Sequence, residues 1–287
     1  MCKYAGMHCT SAYLHICIFP YLPSMKLLSL FLLLALSFTT QAQDNTFSAY
    51  SKPQFTREGD TLRYRLMLPL NYDAKKKYPV VLFLHGAGER GNNNEAQLIH
   101  GARLFADSAN RKKYPAIVIF PQCPYTDFWA RIRPIKPMTD STPNVIEYPA
   151  EGTIGKPLGL VSQLIDSFAA ARSVDPKRIY VGGLSMGGMG SFEILWRKPG
   201  FFAAAFPICG GGNVTTATKY GKDFPIWVFH GAKDNVVDVN DSRKMVTALK
   251  AAGARIKYTE YPEVKHDSWT NAFAEPDLLP WLFSQRK

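Results

Sequence analysis

"YVGGLSMGGMG" occupies residues 180–190 and sets one serine, Ser185, among five glycines directly after an apolar run. Glycine is entropically costly to order, so this cluster signals a backbone bent tightly around one side chain. Within it, Gly183-Leu184-Ser185-Met186-Gly187 is a G-x-S-x-G element. "RIYVGG" (178–183) reads as a short strand before it. "MGGMGSFEILWRK" (186–198) reads as a helix after it, stopped by Pro199 and Gly200. A nucleophile at such a strand-to-helix turn sits in a strained conformation with its hydroxyl exposed at the top of a sheet. Residues two before and two after it crowd each other, so only small ones fit. The bare pentapeptide is a weak signal; a strand before and a helix after make it strong. The helix also aims its first N–H groups and positive dipole end at the site.

The rest of the chain supplies the sheet that such a turn needs. "YPVVLFLHG" (78–86), "YPAIVIFPQ" (114–122) and "FPIWVFHG" (224–231) are continuous apolar runs, the pattern of strands buried on both faces. "TLRYRLMLP" (61–69) alternates like an edge strand, and "ARIKYTEYP" (254–262) is the last strand. Between them, residues 159–173 place Leu160, Leu164, Ile165 and Phe168 on one helical face. "DSRKMVTALKAAG" (241–253) is a helix with Asp241 as N-cap and Gly253 as its stop, and "PDLLPWLFSQ" (276–285) is a closing helical turn. Strands alternating with helices imply an α/β class: a mostly parallel central sheet with helices on both faces. Residues 122–158 form the one long irregular stretch, rich in proline and carrying Tyr125, Trp129 and Tyr148. A loop that long in a compact domain is usually functional or disordered.

A serine hydroxyl needs a base, and the base needs a carboxylate lying between the two in sequence. His266 follows the last strand in "YPEVKHDSW" and is the expected base. His85 and His230 each end a buried strand as "HG" and read as structural, bonding local backbone; His100 reads as a surface residue. "FHGAKDNVVDVNDS" (229–242) offers Asp234, Asp238 and Asp241. Asp234 lies at the C-terminal sheet edge, where sites on open α/β sheets form; Asp238 is the reserve. The tetrahedral intermediate needs two N–H donors. Met186, directly after the serine, supplies one, and "LHGAGERG" (84–91) supplies the other through Ala87, with Gly88 second.

The 287 residues are 46% hydrophobic and 20% charged, enough for one large domain or two small ones and unlike a disordered chain. The net charge of +11 is scattered, so a solvated surface outweighs a nucleic-acid groove. From Met25, "MKLLSLFLLLALSFTTQAQ" has the layout of a signal peptide, and its apolar stretch is short for a membrane span. The expected organisation is therefore an N-terminal extension and signal over 1–42, with Met25 as the true start, and one domain over 43–287. The mature protein would be secreted or periplasmic, with no stable membrane anchor. Its only cysteines, Cys123 and Cys209, read as two buried free thiols rather than a disulfide. No zinc-type spacing and no phosphate-cradling loop with a lysine occurs, so neither metal nor cofactor is expected.

Taken together, "FLHGAGERG" (83–91), "PQCP" (121–124) followed by Trp129, residues 178–211, "FHGAKDNVVDV" (229–239) and "KHDSWTNAF" (265–273) resemble the α/β-hydrolase superfamily. More closely, they are similar to its secreted esterases: family-1 carbohydrate esterases, feruloyl-esterase-like and polyhydroxybutyrate-depolymerase-like proteins. The resemblance spans about 60–287, with five motifs in order. It implies an α/β-hydrolase fold without a large cap domain, and it assigns Ser185, Asp234 and His266 as nucleophile, acid and base. Relatives often carry proline where Asp238 follows Val237, which keeps Asp238 as a competitor. The implied reaction is hydrolysis of carboxylic esters through an acyl-enzyme, on acyl or feruloyl esters of carbohydrate. Trp129, Tyr125 and Trp269 are the expected substrate-binding aromatics, against the alternative that Trp129 only packs the loop. Two rivals stay open: a serine peptidase of the prolyl-oligopeptidase type, and a non-catalytic carbohydrate-binding module on a hydrolase scaffold.

Overall fold

The computed structural model describes residues 45–136 and 142–287. The signal-peptide reading, the Met25 start and the three N-terminal cysteines lie outside the described residues. The described residues belong to the unit Asp44–Lys287. Its strands are β1 (Gln54–Arg57), β2 (Asp60–Met67), β3 (Tyr78–Leu84), β4 (Ile117–Pro121), β5 (Arg133–Lys136), β6 (Val145–Glu147), β7 (Val174–Leu184), β8 (Ala204–Ile208), β9 (Pro225–Gly231) and β10 (Arg255–Tyr261). Its helices are α1 (Ala102–Ala106), α2 (Ser108–Lys113), α3 (Lys156–Ala169), α4 (Met186–Arg197), α5 (Val239–Ala251), α6 (Ser268–Ala274) and α7 (Leu278–Ser284).

Eight strands form one sheet in the order β1-β2-β4-β3-β7-β8-β9-β10. From β4 to β10 every pairing is parallel; β1 and β2 add an antiparallel edge. The alternation of side chains explains the layering. Val80, Leu82 and Leu84 of β3 join the core beneath α3, α4 and α5, with Val161, Phe192 and Leu249. Val81 and Phe83 point the other way, into the core with Phe105 of α1, Ala272 of α6 and Leu282 of α7. Helices therefore cover both faces, as the continuous apolar runs require. Among the described residues, no helix is long and apolar enough to cross a membrane.

Four local expectations need correction. The strand expected at the edge, β2, is covered by β1 through a hairpin closed by Glu58-Gly59, both at positive φ. Strand β8 escaped the sequence reading because it is short, alanine-rich and holds Pro207, which ordinarily argues against a central strand. The stretch 122–158 is not wholly irregular, since β5 and β6 pair as a small antiparallel sheet. Helix α5 starts before Asp241. Its N-cap is Asp238, whose carboxylate accepts from the Asn240 N–H at 2.9 Å. Its end is as expected, with Gly253 at φ +84° and its N–H donating to Lys250 O at 3.0 Å.

Candidate active site

The turn at Ser185 joins β7 to α4. Ser185 sits at φ +53°, ψ −117°, a conformation that side chains other than glycine rarely adopt. Its N–H donates to Ile208 O of β8 at 2.9 Å, which holds the turn against the sheet. The flanking glycines have a steric cause. A Cβ at Gly183 would collide with the Gly187 carbonyl, and one at Gly187 with the Leu84 carbonyl of β3.

Three side chains far apart in sequence meet here. The Ser185 hydroxyl lies 3.0 Å from His266 Nε2, and His266 Nδ1 lies 2.7 Å from Asp234 Oδ2. Nδ1 faces a carboxylate, so it carries the hydrogen; Nε2 is left to accept from the serine. Parallel strands deliver all three to one edge: Ser185 after β7, Asp234 after β9, His266 after β10. Asp234 is buried, and its Oδ1 accepts from the N–H groups of Val236 and Val237 at 2.8 and 3.0 Å. Burial alone would raise its pKa, but hydrogen bonds from His230 and His266, the His266 charge and the Val236 N–H together hold it well below the ordinary carboxylate value. The reserve carboxylate, Asp238, is occupied as the α5 cap. Asp241 accepts instead from the Tyr148 hydroxyl at 3.1 Å.

His230 departs from its expected role of bonding local backbone alone. Its Nε2 faces Asp234 Oδ2 at 3.1 Å and Val237 O at 3.2 Å, two acceptors, so it donates to the same carboxylate oxygen as His266. Its Nδ1 meets Ser242 Oγ at 2.8 Å, and Ser242 reaches Gly210 O at 2.7 Å. The signal for this role was available in the sequence: a strand-ending histidine four residues before an aspartate. His85 keeps to backbone partners. Its Nδ1–H donates to Gly86 O at 2.6 Å, and its Nε2 accepts from the Cys123 N–H at 3.0 Å.

Met186 is the first residue of α4 and is buried, so its N–H is one of the helix-start donors without an intrahelical acceptor. Ala87 opens a 3₁₀ turn, Ala87–Glu89, directly after the β3 end. Arg90, which the sequence reading passed over, fixes this turn. Its Nε donates to Ala87 O at 3.0 Å, its Nη1 to Tyr125 O and Asp127 O at 3.1 and 3.3 Å, and its guanidinium lies 4.5 Å over the Phe128 ring.

The three aromatics separate. Trp129 is 0% exposed and donates from its indole to His85 O at 3.1 Å. It packs the loop onto the domain and has no face free for a ligand, which corrects its expected place among substrate-binding residues. Tyr125 is 70% exposed. Trp269 stands edge-on to His266 at 5.4 Å and also meets His100 at 5.2 Å, so His100 is half-buried beside the site rather than a plain surface residue. Cys123 and Cys209 are both buried and free. Cys209, Asp234 and His266 bring possible ligand atoms within 4.8 Å of one another. However, the Asp234 and His266 atoms are already bonded together, and burial raises the Cys209 thiol pKa, which opposes the thiolate a metal needs.

A family model described as phospholipase/carboxylesterase matches residues 70–275. Among curated proteins, the chain is 35% identical over 109 residues to a bifunctional acetylxylan esterase/xylanase of Neocallimastix patriciarum, covering 35% of this chain and 16% of that one. It is 33% identical over 111 residues to feruloyl esterase B of Piromyces equi, covering 35% and 20%. The chain thus spans a fifth or less of these curated relatives. A solved thermostable esterase superposes with a TM-score of 0.74 at 34% identity, covering 84% of this chain and 64% of that one.

Proposed function

The chain belongs to the phospholipase/carboxylesterase family, and we propose that it is a serine carboxylic-ester hydrolase acting through an acyl-enzyme. The observation that carries this reading is the continuous contact from Ser185 through His266 to Asp234, at 3.0 and 2.7 Å. Ser185 Oγ attacks the ester carbonyl carbon while its proton passes to His266 Nε2. The N–H groups of Met186 and Ala87 hold the oxygen that becomes negative. Collapse breaks the carbon–alkoxy bond, and the leaving alcohol takes the proton from His266. Water then loses a proton to the same nitrogen, attacks the acyl-serine and releases the acid, and the proton returns to Ser185. Asp234 keeps the Nδ1–H tautomer and stabilises the imidazolium between steps.

The substrates are acyl or feruloyl esters of carbohydrate. Two relatives named for acetylxylan and feruloyl esters support this, as does the exposed ring of Tyr125, whose carbonyl Arg90 ties to the Ala87 turn. Residues 25–42 direct export, and the enzyme works outside the cytoplasm as a domain starting near residue 43. Assays with p-nitrophenyl acetate, methyl ferulate and an aminoacyl-nitroanilide test the reaction class. Turnover of both esters, lost in Ser185→Ala without loss of folding, is the expected result. Turnover of the anilide alone would overturn the proposal, as would failure to react with all three and with a fluorophosphonate probe.

A further inference from the structure

The fold gathers cations that are scattered along the sequence. Loop 68–77 leads from β2 into β3, and α2 leads into β4. Met67 of β2 pairs with Val118 of β4, so the two segments meet at the edge where β3 and β4 begin. Arg111 Nη2 donates to Leu68 O at 3.1 Å and ties them together. Six cations, Lys75, Lys76, Lys77, Arg111, Lys112 and Lys113, stand here against two acids, Asp73 and Asp107. Both acids bond backbone: Asp73 Oδ1 accepts from the Lys75 N–H and Asp107 Oδ1 from the Asn110 N–H, each at 2.9 Å. All five lysines are exposed, and none forms an ion pair among the described residues. Lys76, Lys77 and Lys113 line one cavity of about 500 Å³, with no acidic side chain in its wall among the described residues. Arg178 of β7, which also lines it, is already paired with Asp175 at 2.9 Å.

Beside the lysines stands an apolar ridge. The alternation of β2 continues past its end: Met67 and Pro69 are buried, while Leu68 and Leu70 face outward at 37% and 44% exposure. Tyr72 follows at 37%. Apolar residues exposed singly are ordinary. Two leucines and a tyrosine in one short loop, running into three consecutive lysines, have the composition of a surface that meets lipid.

Charge alone would suit a nucleic acid or an acidic polysaccharide equally, but either would leave the leucines in water. An anionic lipid surface takes both features: its headgroups face the lysines, and the top of its acyl region receives the leucines.

We propose that this edge docks the protein reversibly on a membrane face rich in anionic lipid. The docking edge lies opposite the candidate active site. Ser185, Asp234 and His266 follow the ends of β7, β9 and β10, whereas the lysines precede the starts of β3 and β4. Strand β3 has 7 residues, and at roughly 3.3 Å each the two edges are about 23 Å apart. The docked protein therefore turns the Ser185 edge toward solvent, so the lipid is its support and not its substrate.

The test is co-sedimentation with vesicles of equal parts phosphatidylglycerol and phosphatidylcholine, and with vesicles of phosphatidylcholine alone. The wild type should bind only the mixed vesicles, and less tightly as salt is raised. Each lysine near an anionic surface contributes about fivefold in affinity, so Lys76→Gln/Lys77→Gln/Lys113→Gln should bind about 100-fold more weakly. Leu68→Ser/Leu70→Ser should lose about tenfold through lost apolar burial, with retention on a heparin column unchanged. Binding of the wild type to neither vesicle, or equally to both, overturns the proposal, as does mixed-vesicle binding that survives the lysine changes. Binding that survives the leucine changes overturns it in favour of a bare polyanion. Vesicle-bound protein should turn over p-nitrophenyl acetate as fast as free protein, and a loss on binding would overturn the orientation. Sedimentation does not depend on turnover, so docking stands or falls apart from the ester-hydrolase reading.

Discussion

Two strands of the sheet run into the same dipeptide at the same edge: β3 into His85-Gly86, and β9 into His230-Gly231. Both imidazoles are buried, at 1% and 0% exposure. His85 hydrogen-bonds only backbone, and Trp129 stands edge-on to it at 5.1 Å. His230 shares a carboxylate oxygen with His266. The dipeptide and the burial are the same, so the role is set by what reaches each ring: the Cys123 N–H from the end of β4 in one case, Asp234 from the loop after β9 in the other. Local sequence names the strand end, whereas tertiary contact decides whether that end serves the scaffold or the chemistry.

The most severe way to break this contrast is to remove the acceptor that distinguishes the two ends. Asp234→Asn keeps the shape but offers His266 and His230 the wrong group, and kcat should fall about 10⁴-fold. Asp238→Asn, in the same loop, should leave kcat at the wild-type level. If the two variants were equally impaired, the carboxylate would be misassigned.

A smaller effect separates the histidines themselves. His230→Leu deletes a hydrogen bond to a charged group, and kcat/KM should fall about 10- to 100-fold. His230→Gln can still donate to Asp234 and should recover part of that loss. His85→Leu strands the buried Cys123 N–H, so its main effect should be about 1–3 kcal/mol of stability. Denaturant melts and ester kinetics on the same three proteins check the pair. Equal kinetic losses without rescue by glutamine would make both histidines scaffold.

Acid sharpens the contrast further. Burial pushes the His85 pKa from 6.5 down to about 4. Below pH 6.5 the unfolded chain gains a proton that the folded state refuses, so stability falls between about pH 6.5 and 4, by roughly 3 kcal/mol in total. Asp234 works in a separate window. Its pKa is held below the ordinary 3.8, so its contribution persists above that value and is lost only as pH falls further. Chemical melts at pH 7, 5.5 and 4 should therefore show a loss that His85→Gln flattens. A slope unchanged in His85→Gln would assign the acid sensitivity elsewhere.

These comparisons also mark how far the sequence could be read. The parallel sheet was legible because apolar runs such as "VVLFL" (80–84) have no polar face to show to water. The turn at Ser185 was legible because glycine at 183 and 187 has one steric explanation. The late histidine and the first aspartate after β9 followed from where parallel strands end. What stayed hidden depends on partners remote in sequence. Nothing near Trp129 shows that its indole would be spent on His85 O, and nothing near Arg90 shows that Tyr125 and Asp127 would come to it. Strand β8 was hidden for a local reason: alanines and Pro207 carry no strand pattern, and pairing with β7 and β9 imposes one.

The smallest expected effect concerns the carboxylate that the β9 loop does not give to His230. Asp238 lies four residues beyond Asp234 and caps α5 through the Asn240 N–H. Removing such a cap costs about 1 kcal/mol, which for a domain of this size lowers Tm by about 2–4 °C. Asp238→Ala should show that shift with ester turnover intact, and Asp238→Ser should restore most of the Tm because its hydroxyl can cap in the same way. The loop after β9 then divides its acids by geometry. In the proposed mechanism the one whose oxygen faces two histidines serves the reaction, and the one whose oxygen faces a helix start serves the fold. Should Asp238→Ala lower turnover without lowering Tm, that division would be reversed, and His230 would lose the feature that sets it apart from His85.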